Sequence, residues 1–337
     1  MLELGATYWR GTPSVPRSYD RAMEWYRKAA DLGDRSGQYS VGILYRDGLG
    51  VARDYDQAMN WFQKAAKQGH SGAQNDIGWL YRNGWGVPQD FSEAMEWFRK
   101  AADQGNRAAQ HSIGLLYFYG QGVARNYGLA MQRFRQAADQ NYAPAQHMIG
   151  LLYLNGHGVP QDYGQAMQWF RQAAGQAHAA AQYQLGLLYY HGQGAVQDDA
   201  QALQWFRKAA DQGSPGAQTA VGLMYRSGRG GVEKDYAEAM RWFRKAAERD
   251  NPYAQYLLGQ HYQRGQGTGQ DYREAMTWFR KAADRGYLDA LLSVGWLYEN
   301  GLGVPEDKAN AIEWYRKAAK AGSGNARQAL ERLGKVQ

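Results

Sequence analysis

The amino-acid sequence predicts an all-α protein, a right-handed α-solenoid of about nine 36-residue helix-turn-helix repeats. One tryptophan marks each repeat at a constant position, with arginine once in its place. These positions are Trp25, Trp61, Trp97, Arg133, Trp169, Trp205, Trp242, Trp278 and Trp314. A glycine-rich segment lies between each pair of them, and a fixed period of this length indicates stacked structural units. The 44% hydrophobic content supplies enough apolar surface for such stacking.

The spacing of these positions is 36 residues except between Trp205 and Trp242, where it is 37. The additional residue lies in the segment Gly228-Arg229-Gly230-Gly231-Val232, which is one residue longer than Gly84-Trp85-Gly86-Val87. Repeat arrays accept insertions in their loops. Both segments are therefore predicted to be loops.

The third repeat illustrates the first helix of each unit, which we call helix A. Ala73, Ile77, Leu80 and Tyr81 lie at positions i, i+4, i+7 and i+8, so they form one apolar stripe on a helix. Glycine and proline in residues 83–88 then end the helix. A loop is expected between helix A and the next helix.

The second helix of the same unit, helix B, begins after Asp90, a residue type suited to capping a helix N-terminus. Ala94, Phe98 and Ala101 recur at helical spacing, and Gly105 stands where a C-terminal glycine is expected. A glycine also recurs inside helix A, where it costs about 1 kcal/mol relative to alanine. We expect it to allow close approach to the alanine pair on helix B, such as Ala101-Ala102.

One such hairpin cannot bury its apolar stripe alone, so stability must come from stacking on the next repeat. The predicted repeats span residues 1–33, 37–69, 73–105, 109–141, 145–177, 181–213, 217–250, 254–286 and 290–322. Residues 323–337 are predicted to form a C-terminal capping helix and tail, because the segment starts like another helix A and then turns polar.

These repeats resemble the Sel1-like repeat family, a relative of the tetratricopeptide repeat with a longer loop inside the hairpin. The motif Ala-Gln-x-x-Leu-Gly-x-Leu-Tyr is followed by Gly-x-Gly-Val and then by Asp-Tyr-x-x-Ala-Met-x-Trp-Phe-Arg-Lys-Ala-Ala, from about Met1 to Gly322. The departures are Arg133 for Trp, Asp199 and Lys308 for Tyr, Leu203 and Ile312 for Met, and Asn141, Ala177 and Asp250 for the terminal Gly. The resemblance implies a non-enzymatic bacterial adaptor, in some relatives an immunity partner of a secreted toxin.

The residue inventory favours neither catalysis nor a cofactor. There is no cysteine, and of seven histidines only His111 and His147 share a position in adjacent repeats, so a zinc site is not expected. The recurring Gly-x-Gly loops follow a helix, whereas a dinucleotide-binding loop follows a strand. We predict no catalytic residue, no metal site and no cofactor.

Basic residues give a net charge of +7 and fall mostly as one Arg-Lys pair per helix B, such as Arg99-Lys100. Even spacing predicts a solvated outer face, offset by aspartates such as Asp103, and nucleic-acid binding is the weaker interpretation. No stretch is long and apolar enough to span a bilayer. Met1 falls one residue inside the first helix A, so we expect a removed leader or cap, which favours a periplasmic location.

The side of each helix A opposite its core stripe, called here the helix A face, is predicted to line the concave side of the array. Leu115, Leu151, Leu187 and Leu223 on this face are as well explained by sealing adjacent A helices. The predicted partner-binding residues are Trp79, Arg82, Trp85, Phe118, Tyr119, Leu154, Tyr183, Tyr190, His191 and Arg226. Exposed Trp, Tyr and Arg are typical of binding hot spots.

The leading hypothesis is a protein-binding scaffold that is monomeric when unbound and holds one partner protein in its concave groove. Its sharper version is an immunity protein that neutralises a secreted bacterial toxin or effector. The alternative is a regulatory or virulence-linked adaptor for a host or cell-envelope protein. An enzyme or an RNA-binding protein ranks well behind both.

Overall fold

The computed structural model describes residues 1–334 and shows 19 helices and no strand in that part of the chain. The prediction of an all-α repeat solenoid is confirmed. Odd-numbered helices up to α17 are A helices, even-numbered helices are B helices, and α19 follows the last repeat. The bounds are α1 Leu2–Arg10, α2 Tyr19–Asp31, α3 Arg35–Asp47, α4 Tyr55–Lys67, α5 Ser71–Asn83, α6 Phe91–Ala102, α7 Arg107–Tyr119, α8 Tyr127–Ala138, α9 Ala143–Asn155, α10 Tyr163–Gly175, α11 Ala179–His191, α12 Asp199–Asp211, α13 Pro215–Ser227, α14 Tyr236–Ala247, α15 Pro252–Arg264, α16 Tyr272–Asp284, α17 Leu288–Asn300, α18 Lys308–Lys320 and α19 Gly324–Arg332.

The helices form two compact units, one from Met1 to Trp169 and one that begins at Phe170. In each unit a helix A packs on its own helix B and on the helix B before it. No helix within residues 1–334 is long and apolar enough to cross a membrane.

Capping residues set the ends of the helices. In the third repeat, the Asp90 carboxylate accepts hydrogen bonds from the backbone N–H groups of Ser92 and Glu93 at 2.8 and 3.0 Å. Helix α5 ends at Gly84, whose φ of 68° is the left-handed conformation that glycine adopts without strain. The same pair of signals recurs along the chain and fixes the reversal between helix A and helix B.

Within each unit, the glycine inside a helix A makes room for an aromatic ring of the following helix B. A Cβ atom on Gly78 would lie 2.6 Å from the ring of Phe98, and one on Gly114 would lie 2.5 Å from the ring of Phe134. The expectation that this glycine faces the alanine pair is therefore wrong. The ring fills the core of the hairpin, and only hydrogen fits opposite it.

The glutamine of the Ala-Gln motif is buried and joins helix A to the end of helix B in the same repeat. The Gln104 Nε2 donates to Oε1 of Gln74 at 2.7 Å, and Gln212 donates to Gln182 at the same distance. Buried amides are stable when they are hydrogen-bonded. These amide pairs therefore fix the position of helix B on helix A within the third and sixth repeats.

The Arg-Lys pairs of helix B also have structural partners. Lys208 Nζ lies 3.9 Å from the Trp205 ring centroid, and Arg207 donates to the Tyr225 hydroxyl at 2.6 Å. Equivalent cation–π contacts cover the tryptophans at positions 25, 61, 97, 242, 278 and 314. These exposed cations thus pair with aromatic rings rather than with the aspartates expected from the sequence.

The last helix, α19, packs on α18 through the buried side chains of Ala326 and Leu330. Its Arg332 forms an ion pair with Glu299 at 2.7 Å, and Glu299 also accepts a hydrogen bond from Tyr315. Of the predicted tail, residues 335–337 lie outside the described part of the chain.

Candidate functional site

Three of the predicted binding residues lie together on the helix A face of the first unit. Trp79 and Trp85 are 38% and 39% exposed, and their ring centroids are 6.2 Å apart. Trp85 stacks on Tyr55 at 5.3 Å, and the Arg82 guanidinium lies 5.8 Å from the Trp79 ring. Tyr55 and Arg82 thus contact the two indole rings, which remain partly exposed to solvent.

A buried ion pair lies beside these tryptophans. The Arg46 guanidinium donates to Asp76 at 2.8 Å and to Asp47 at 2.7 Å, and Asp76 is 6% exposed. Asn75 donates a further hydrogen bond to Asp76 at 3.0 Å. Burial raises the pKa of Asp76, although Arg46 opposes this shift.

Arg46, Asp76, Leu80 and the two tryptophans line a recess of about 260 Å³. Arg82 itself donates from Nε to the Gln121 amide at 3.1 Å, and burial lowers its pKa. One hydrogen-bond donor of its guanidinium is therefore used to bind the loop that follows α7.

Phe118 and Tyr119 are neighbours with different surroundings. Tyr119 is 57% exposed, whereas Phe118 is half-buried and contacts the rings of Phe134, Tyr127 and His157 at centroid distances of 6.5, 5.4 and 6.1 Å. Tyr119 is thus available to a partner, and Phe118 mainly supports its own repeat.

Leu154 is half-buried at the end of α9. Its carbonyl accepts a hydrogen bond from the Gln161 amide at 2.8 Å, which closes the loop that follows. Leu154 lines neither the recess beside Trp79 nor the apolar recess of the second unit, which is described next.

The second unit gathers Tyr183, Tyr190 and His191 around one apolar recess of about 290 Å³. Leu187 and Leu223 complete its aliphatic walls, so in this unit the two leucines are not fully used in sealing adjacent A helices. Arg226 is half-buried on the same helix as Leu223 but does not line the recess.

Sequence reasoning missed four contributors to these sites. Asp76 and Tyr55 support the first, and Ala220 and Tyr253 line the second. The signal for Asp76 was available, because the same repeat position holds Ser40, Ser112, Met148, Gln184, Ala220, Leu257 and Ser293 elsewhere. Apart from Glu3 in the first repeat, Asp76 is the only carboxylate at this position, which marks a local departure from the repeat.

The two sites offer aromatic faces, aliphatic walls and guanidinium groups, which suit contact with a protein surface. Among residues 1–334, no group of three or more His, Asp or Glu side chains is placed to hold a metal ion. Two of the histidines, His70 and His178, instead cap helices by accepting backbone N–H groups at Nδ1.

Comparison with known proteins gives matches in the same repeat architecture. The chain is 38% identical to a Sel1 repeat protein of Oxalobacter formigenes, with 92% of this chain and 90% of that one covered and a TM-score of 0.68. It is 30% identical to c5321, a protective antigen present in uropathogenic Escherichia coli strains, over 100% of this chain and 87% of that one, with a TM-score of 0.51. No curated protein matches the sequence.

A more distant match is the immunity protein Pa5087 of Pseudomonas aeruginosa, at 24% identity over 61% of this chain and 81% of that one, with a TM-score of 0.47. The Sel1 repeat pattern itself matches nine consecutive segments. They are residues 1–34, 35–70, 71–106, 107–142, 143–178, 179–214, 215–251, 252–287 and 288–323. The chain therefore belongs to the Sel1 repeat family.

Proposed function

We propose that this protein is a non-enzymatic scaffold that binds one partner protein through its helix A face and thereby neutralises a secreted bacterial toxin or effector. Sel1 repeats are typical protein-interaction scaffolds, so the binding role follows from the family. The toxin as partner is the sharper hypothesis.

The observation that carries the binding role is the contact between the exposed rings of Trp79 and Trp85. Two indoles that are more than a third exposed place apolar area in water at one spot of the surface. Trp85 is pre-oriented by its stack on Tyr55, so little side-chain freedom is lost when a partner covers it. Pre-ordered Trp beside Arg82 is the composition of a binding hot spot.

The alternative role is a virulence-linked adaptor for a host or cell-envelope protein. It is supported by the similarity to c5321, a protective antigen present in uropathogenic strains. Both roles use the same surface and differ in whether the bound partner is a toxin.

The test is affinity capture from the source bacterium with the full chain as bait, followed by mass spectrometry. Wild-type protein is compared with the Trp79→Ala/Trp85→Ala variant and with Arg99→Ala, an exposed helix B control. We expect the partner to be lost from the tryptophan variant and retained by the control. Equal capture by all three proteins would contradict the assignment to the helix A face.

The captured partner is then produced in a sensitive bacterial strain with and without this chain. Growth arrest that the chain relieves at equimolar amounts supports the immunity role. A partner without toxicity, derived from the envelope or the host, would replace that role with the adaptor.

A further inference from the structure

The apolar recess of the second unit arises from small residues on one face of α13. Gly216, Thr219 and Ala220 lie at positions i, i+3 and i+4, so they share that face. Thr219 takes the repeat position that holds Tyr39, Tyr183 and Tyr256 in other repeats. The seventh repeat therefore lacks the tyrosine ring that those three repeats carry at this position.

The space left by the missing ring stays open and is lined by neighbouring helices. Tyr183, Leu187 and Tyr190 of α11 form one wall, and Tyr253 of α15 stands opposite with 37% of its surface exposed. The volume of about 290 Å³ lies at the small end of the usual range for ligand pockets. It suits one large side chain of a protein partner.

The lining has few polar groups to satisfy. The Thr219 hydroxyl donates to the Pro215 carbonyl at 2.8 Å, and Asn251 accepts from the Ala254 N–H at 2.8 Å. Both groups are thus already paired with backbone. An apolar side chain can enter without leaving either of them unpaired.

The loop that follows α13 holds the rim of the recess through Arg229. Arg229 forms two hydrogen bonds with the Asp199 carboxylate, at 2.7 and 2.8 Å. It also donates to the Tyr190 hydroxyl at 2.7 Å. Tyr190 is fixed at the rim before any partner arrives, which reduces the entropy lost on binding.

Positive charge is left unmatched at the C-terminal end of α13, beyond the residues that line the recess. Arg226 lies one turn beyond Leu223 on α13, and Arg264 ends α15. Within residues 1–334 neither arginine forms an ion pair. Both act on the buried His261, whose pKa is lowered first by burial and further by these two charges. The helix A face is therefore cationic at this point.

We propose that this recess is an anchor pocket for one leucine or phenylalanine side chain of a partner segment that carries acidic residues beside it. This assignment rests on the proposed scaffold function and names the chemistry that one of its surfaces recognises. The apolar side chain enters between Tyr183 and Leu223, and the acidic residues lie against Arg226 and Arg264.

The test uses random 12-residue peptides displayed on phage and selected on the immobilised full chain. Thr219→Tyr fills the recess with the residue that three other repeats carry, so the variant keeps a side chain the fold accepts. His111→Tyr, which introduces tyrosine at the same position of the fourth repeat where a ring is already present, is the control. Circular dichroism and thermal melting confirm that both variants are folded.

We expect enriched peptides with Leu or Phe next to Asp or Glu, at least tenfold weaker binding to Thr219→Tyr, and unchanged binding to the control. A second variant, Arg226→Glu/Arg264→Glu, is expected to weaken binding several-fold, with less effect at high salt because screening removes the attraction. Basic peptides, or equal binding to Thr219→Tyr and wild type, would overturn the pocket assignment, as would a selection that enriches no peptide.

Failure of this inference is separable from failure of the scaffold function. If Thr219→Tyr captures the partner protein as well as wild type does, the pocket assignment is wrong and the scaffold stands. If no partner is captured by any form of the protein, the scaffold function itself fails, whatever the peptides show.

Discussion

Substitution of Arg46 tests how much its guanidinium stabilises the buried Asp76 carboxylate beside the two tryptophans. In Arg46→Met the long apolar stem remains but the guanidinium is lost, so the buried Asp76 carboxylate keeps only its hydrogen bonds. Loss of one partner of a buried pair costs about 3–5 kcal/mol. Because the Arg46 side chain is 28% exposed and Asn75 still donates to the carboxylate, we expect the lower value of about 2–3 kcal/mol.

The opposite substitution should be much milder. In Asp76→Ser the carboxylate is replaced by the residue found at positions 40, 112 and 293. Arg46 keeps its ion pair with Asp47 at 2.7 Å and part of its hydration, so we expect a loss of about 1 kcal/mol or less. The double variant should resemble Asp76→Ser, because no buried charge is left without a partner.

The pH dependence gives an independent check. Burial raises the pKa of Asp76 in the folded state, so folding favours the protonated acid. The associated stability is fully present below the unfolded pKa of about 3.9 and is lost as the pH rises through the folded pKa. Removal of Arg46 raises that folded pKa further, so the cost of Arg46→Met should shrink on acidification from pH 8 to pH 5.

The measurement is urea unfolding followed by far-ultraviolet circular dichroism, with hydrogen exchange across α3 to α5 to locate the change. Arg99→Met, an exposed helix B substitution, is the control. If Arg46→Met and Asp76→Ser cost the same, or if the cost does not depend on pH, the carboxylate is not a buried charge held by Arg46.

Three further substitutions test the backbone and the caps, each by chemical or thermal unfolding. Ala177→Gly should stabilise by about 1 kcal/mol, because φ is 58° at a position that glycine holds in most repeats; a loss of stability would contradict that strain. Gly114→Ala should lower the free energy of unfolding by about 3 kcal/mol, because the new Cβ meets the Phe134 ring. Gly175→Ala should be neutral or stabilising, because no atom lies within 4 Å of its new Cβ. Equal effects of the two variants would refute the packing argument. His70 caps α5 by accepting a backbone N–H at its neutral Nδ1, and burial lowers its pKa. Its contribution to stability is therefore present above the unfolded pKa of about 6.5 and is lost as the pH falls through the folded pKa. His70→Asn should remove that loss, and an unchanged pH profile of unfolding would exclude the cap as its source.

The fold was predictable because its signals are local and repeated nine times. Helical spacing of apolar residues, an Asp or Asn cap and a terminal glycine each act within one repeat, and each copy reports the same structure. The role of the internal glycine was assigned to the wrong neighbour, since sequence spacing does not tell whether Phe98 or Ala101 faces Gly78. That choice depends on the rotation of helix B, which only packing fixes.

The candidate site was less predictable, because it depends on exposure and not on helix periodicity. Phe118 and Tyr119 are adjacent and equally aromatic, yet one is half-buried and the other is 57% exposed. The recess of the second unit was harder still, since it results from what Thr219 and Ala220 lack. A small residue on a helix face has no signal of its own until it is compared with its equivalents.

The residues that differ most between repeats include those where one repeat meets the loop of the next. The last turn of a helix A meets the loop of the following repeat, 39 residues further along the chain. Four such pairs are Arg46 with Trp85, Arg82 with Gln121, Phe118 with His157 and Tyr190 with Arg229. The same geometric junction is thus filled by four different combinations of residues.

The core glycine and its ring hold the backbone constant while this junction varies, so the variation can change the chemistry of the face without disturbing the fold. In the seventh repeat, Arg229 lies at such a junction, directly beside the recess. The variable junction and the apolar recess therefore meet at Tyr190, which is why we place the anchor pocket there.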